Sequence, residues 1–197
     1  MRSELLETTG PEGLSLRVEF LWHFDRYRHV ISAALPGRER IPLLESIEGS
    51  ATEDWPPSPA LQSLSFQTFP DSRCVAMLLG KAGRSHWSAS VEELPGTGVV
   101  VFDVACHVND RWPYLGSRYR LLGQALTPTS GGKQKTVQVR LPQATVEITT
   151  ELDQPQYYAL SVSGDGELEI SAAPENYKQP ATVRWNYRIQ IHGRDCR

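Results

Sequence analysis

The sequence predicts an all-β fold: a single antiparallel β-sandwich, or flattened barrel, of about ten to twelve short strands with minimal helix. Three observations predict it. Apolar and polar residues alternate at period two in two long stretches. Gly and Pro, 15 and 14 of the 197 residues, cluster between such stretches as turn formers. The long helical patterns that a βαβ fold requires are missing.

The first long strand carries Leu14, Leu16, Val18, Phe20, Trp22 and Phe24 on one face, expected to point inward. Ser15, Arg17, Glu19, His23 and Asp25 lie on the other. Residues 1–12 read as a peripheral segment before it. With Glu4, Glu7 and no apolar stretch, the first ten residues do not resemble a secretory signal. Residues 27–35 are expected to pair back through a tight turn at Asp25-Arg26. Residues 42–49 place Pro42 and Gly49 where a two-turn helix would start and stop, although a strand fits them as well. Strands over 61–69 and 73–79 flank the turn Pro70-Asp71, and strands over 85–92 and 99–108 flank a hairpin loop at 94–98. Strands over 119–126, 136–141, 145–150, 157–162 and 167–171 follow, the last two joined by Ser163-Gly164-Asp165-Gly166. Val183, Trp185, Tyr187, Ile189 and Ile191 form the inward face of a closing strand. The run Trp55-Pro56-Pro57-Ser58-Pro59 is too short to separate domains, so residues 1–197 read as one.

Twenty basic against 23 acidic residues give a net charge of −3, which removes the basic face of a duplex-binding protein. The longest apolar runs, 75–79 and 99–102, are too short to span a bilayer. Three cysteines without CxxC spacing read as reduced thiols, so the expected location is cytoplasmic. Cys106 shares the face of Val100, Phe102 and Val104 and is expected to be buried and inert. No G-x-S-x-G elbow occurs. Gly80-Lys81-Ala82-Gly83-Arg84-Ser85 lacks phosphate-loop spacing and precedes a strand, so it reads as a connecting turn.

The expected function is a non-catalytic module that binds a small molecule, carbohydrate or protein through loop aromatics and arginines, without a cofactor. Arg111, Trp112, Tyr114, Arg118 and Tyr119 fall in one such loop. Arg26, Arg28 and Trp55 lie in two similar polar-aromatic turns. Rigid rings and guanidinium forks are the groups enriched in binding hot spots. The alternative is an enzyme that holds a divalent metal ion on strand faces through His23, Asp25, His86, Asp103 and His107. Imidazole and carboxylate ligands are what oxygen-activating iron sites use, and Arg118, eleven residues past His107, would hold a co-substrate carboxylate. A third possibility is an assembly protein whose edge strands pair, with a homo-oligomer as the result.

Overall fold

The alternation of the first long strand places Leu16, Val18 and Phe20 inside, and the rest of the fold repeats that device. The structure, a computed structural model, describes residues 4–50, 53, 55–109, 114–122, 126–128, 136–150, 158–172 and 180–194. Two antiparallel sheets pack face to face. One contains β1 (Glu4–Thr9), β2 (Ser15–His23), β3 (Arg26–Ala34), β4 (Ile41–Ser46), β9 (Gly116–Leu121), β14 (Glu167–Ala172) and β13 (Tyr158–Val162), in that spatial order. The other runs β10 (Leu126–Pro128), β11 (Thr136–Arg140), β12 (Ala144–Thr150), β15 (Ala181–Gly193), β8 (Val99–Val108), β7 (Ser85–Leu94), β6 (Cys74–Ala82) and β5 (Ser63–Thr68). Neither sheet closes on itself, so the sandwich alternative holds over the barrel. Among the described residues no helix is long and apolar enough to cross a membrane.

Two strands tie distant parts of the chain together. In the seven-stranded sheet β9 lies between β4 and β14, and in the eight-stranded sheet β15 lies between β12 and β8. Both owe the position to alternation. In β15, Trp185, Tyr187 and Ile189 are buried while Arg184 is exposed. In β9, Ser117 and Tyr119 are buried while Arg120 is exposed. A strand with one apolar face can complete a sheet from its middle, because its inner face has a partner layer to pack on. Residues 59–62, which lead into β5, pack closely on β6. A Cβ at Gly80 would sit 1.7 Å from the Ala60 carbonyl oxygen, so only glycine admits this approach.

The structure corrects two expectations and decides a third between its two alternatives. Residues 4–9 are not peripheral: they pair with β2 as the edge strand β1 and bury Leu6 and Thr8. Residues 42–49 contribute to strand β4 and contain no helix, because Leu44 pairs with Ile31 on one side and Leu121 on the other. Trp22, in β2, and Phe24, which falls in the β2–β3 turn at φ 57°, are both expected inside yet are 50% and 67% exposed. Alternation sets the direction of a side chain, but burial also needs an opposing layer. That cover holds for Phe20, which meets Phe66 and His29, and has ended two residues later. Trp22 instead packs edge-on against Tyr27, with ring centroids 5.1 Å apart.

Candidate functional site

The two joining strands bring a chain of polar groups to the seam between the sheets. His29 Nε2 shares a hydrogen bond of 2.7 Å with the Tyr119 hydroxyl, which in turn bonds the Tyr187 hydroxyl. Beside them Trp185 Nε1–H donates to the Ser117 hydroxyl over 3.1 Å. The Ser46 hydroxyl accepts the His29 backbone N–H at 2.9 Å and donates to Glu48 Oε1 at 2.5 Å. Burial drives the ionisations. It pushes the His29 imidazole down to about 4 and the Glu48 carboxyl up to about 7, the latter against the opposing pull of Ser46 and Arg26. Burial also raises the Tyr119 hydroxyl well above its usual range. The space beside His29, Ser58, Ser117 and Tyr187 is only about 10 Å³, near the lower limit for a single water molecule. The seam therefore holds the sheets in register and leaves no room for a ligand. Sequence reading missed it because Glu48 and Tyr187 carry no motif; a histidine on the inward phase of β3 was the one available signal.

The predicted binding loop is largely internal. Tyr119 lies in β9, within the strand expected from residue 119, and is fully buried, which corrects its expected role as a side chain facing a ligand. Arg26 is buried, with Nε 2.8 Å from Asp25 and Nη1 donating to the Glu48 carbonyl at 3.4 Å. Trp55 packs 5.5 Å from the Trp87 ring and donates to the Tyr114 carbonyl. Tyr114 is half-buried beneath the Arg118 guanidinium, 4.1 Å from its ring centre, and Arg118 also pairs with Glu169 at 3.3 Å. Arg28 pairs with Glu45 on the outer face of the seven-stranded sheet. Tyr114, Arg118 and Trp55 do come together, as a plug on one edge of the sandwich and not as an open surface. Arg111 and Trp112 lie outside the described residues.

The five metal candidates separate between the sheets. His23 and Asp25 flank the β2–β3 turn, where the His23 ring lies 4.0 Å from Phe24 and Asp25 is held by Arg26. His86, Asp103 and His107 lie on the outer face of the eight-stranded sheet, and Arg184 forks onto Asp103. Among the described residues no three His, Cys, Asp or Glu side chains gather as a ligand set. The five therefore form no single centre, because strand pairing assigned them to different layers. Cys106 is fully buried, and burial pushes its thiol up to about 12.

Among the described residues an open concavity faces outward. Strands β5, β6, β7, β8 and β15 form a groove of about 470 Å³ on the outer face of the eight-stranded sheet. Register explains its shape: Ser65, Met77, Ser90 and Asp103 make one row across the sheet, and Ser63, Leu79, Ser88, Ala105 and Arg184 make the next. Small residues at 88, 90 and 105 keep the floor low. Met77 and Leu79, 48% and 60% exposed, form an apolar wall, and the Asp103–Arg184 pair forms the opposite one. The outer face of the seven-stranded sheet is different in kind, with Arg28 and Arg120 both reaching Glu45 and Arg118 reaching Glu169. No protein-family model matches the chain, and no curated protein matches its sequence.

Proposed function

We propose that the protein is a non-catalytic binding module that takes a small, uncharged amphipathic molecule in the outer groove of the eight-stranded sheet. The observation that carries this reading is the pair of exposed large side chains, Met77 and Leu79, beside a floor of serine hydroxyls. Exposed apolar side chains grouped at a concavity mark interaction sites. The volume falls within the range of roughly 300–1,000 Å³ usual for small-molecule sites. Met77 and Leu79 suit an apolar edge, while Ser65, Ser88 and Ser90 suit hydroxyl or amide groups on the other side of the ligand. Asp103 and Arg184 satisfy each other, which favours a ligand without net charge. The test is a thermal-shift screen of small alcohols and amides on alicyclic or aromatic frames. Binders should stabilise the parent and lose that effect in a Met77→Ser/Leu79→Ser variant, while Trp22→Ser, which alters the exposed hairpin, should keep it. Binders that ignore the groove variant would refute the assignment.

A second reading is association of two copies through β5. It is favoured by one observation: this edge strand is mostly exposed and carries no charged residue, whereas edges that avoid pairing are usually blunted by charge or proline. A monomer by light scattering at micromolar concentration would remove it.

A further inference from the structure

We propose that His86 and His107 form a two-imidazole site for a divalent transition metal on the outer face of the eight-stranded sheet. The inference is independent of the groove reading. Strand register brings these histidines together although they lie 21 positions apart in the chain: His86 is directly opposite His107 in the β7–β8 pair, and both are exposed. Residues so opposed hold their Cβ atoms roughly 4.5–5.5 Å apart on one face. From that spacing two rings can turn their nitrogens toward one ion at the usual metal–nitrogen distance of about 2.0–2.1 Å.

The second observation concerns ring orientation. His107 Nδ1 lies 3.1 Å from the Thr182 hydroxyl on β15, the residue opposite it on its other side. Donation of Nδ1–H to that oxygen leaves the Nε2 lone pair for a metal. A partner on the far nitrogen is how proteins commonly fix the tautomer of a ligating histidine. The row across the sheet reads Lys81, His86, His107, Thr182. Asp103 lies four residues away on β8, about 13 Å along the strand, and is engaged by Arg184. The protein thus supplies two nitrogen ligands and water completes the coordination. This donor set favours Cu²⁺, Ni²⁺ and Zn²⁺ over Mg²⁺ and Ca²⁺. Lys81 faces the pair as a cation and Arg84 lies in the adjoining β6–β7 turn, so both lower the affinity.

The test is calorimetric titration of the full chain with Cu²⁺, Ni²⁺, Zn²⁺ and Mg²⁺ near pH 7.5. One ion per chain is expected, Cu²⁺ tightest and Mg²⁺ not bound. His86→Ala and His107→Ala should each lose more affinity than Thr182→Val, which should weaken binding by about tenfold. Lys81→Ala should tighten it, and His23→Ala and His192→Ala should leave it unchanged. Parental affinity in either His86→Ala or His107→Ala would overturn the proposal. Should those variants misfold, unchanged affinity in both Thr182→Val and Lys81→Ala would overturn it equally.

Discussion

The eight-stranded sheet turns its inner face to the seam, which it shares with the seven-stranded sheet, and its outer face to the groove. Trp185 faces the seam and Arg184 the groove; Ala89 faces the seam and Ser88 and Ser90 the groove; Cys106 faces the seam and His107 the outer surface. Inside, His29, Tyr119, Tyr187 and the Trp185 indole are hydrogen-bonded, Glu48 Oε2 and Trp87 Nε1 are buried without a partner among the described residues, and the remaining space is about 10 Å³. Outside, hydroxyls, an ion pair and exposed apolar side chains surround about 470 Å³. A polar group buried without a partner costs its full desolvation, so pairing or its loss on the inner face weighs heavily on stability. On the outer face water covers that cost, and side chains there are free to serve a ligand. Steep effects on stability are therefore expected inside and slight ones outside.

The strongest way to break this contrast is Trp185→Ala. The indole is buried, meets Trp87 edge-on at 6.0 Å and donates to Ser117, so a loss of roughly 3–5 kcal/mol is expected in urea denaturation.

Titration sharpens the contrast further. Glu48 has its carboxyl raised by burial from an ordinary 4.5 to about 7. The folded chain then holds this proton more tightly than the unfolded one. The stabilisation is full below pH 4.5 and is lost as pH rises through 7. His29, lowered by burial from 6.5 to about 4, acts in the opposite direction: its contribution is present above pH 6.5 and lost as pH falls toward 4. Between pH 4.5 and 6.5 the two slopes oppose each other. Glu48→Gln removes one of them, so relative to the parent it should gain roughly 3 kcal/mol between pH 4.5 and pH 8. Paired denaturation curves at those two pH values check this, and an unchanged difference would show that the carboxyl is not buried as described.

Tyr187→Phe is milder. Tyr119 keeps His29 as a partner and loses one hydroxyl contact, so about 1 kcal/mol is expected. Leu79→Ser, on the outer face of β6, should change stability by no more than about 0.5 kcal/mol while abolishing binding in the groove. A large loss of stability there would mean that the outer wall is structural and would erase the distinction between the faces.

The sandwich was legible in the sequence because alternation survives without knowledge of partners. The inward phase of Val183, Trp185, Tyr187, Ile189 and Ile191 is the phase the structure displays. The burial of Cys106 and the hairpin at 163–166 were legible for the same local reason. The candidate site was not. A short aromatic and arginine-rich segment such as 111–120 looks alike at a ligand and in a central strand, so its sequence does not reveal that Tyr119 is buried. Met77 and Leu79 look like any apolar pair in a strand until the layer that would cover them proves to be on the other side.

By itself, then, the sequence determined the element type, most of the turns and which side chains share a face, all of which follow from local backbone geometry with a period of two. Strand order decided the rest. Only the insertion of β9 between β4 and β14, and of β15 between β12 and β8, sets Tyr119 against Tyr187. Only the β7–β8 and β8–β15 registers set His86 against His107 and Thr182. These meetings join residues 21 to 75 positions apart. Pairing across such distances is fixed by which apolar faces find a common core, a property of the whole chain and of no segment within it.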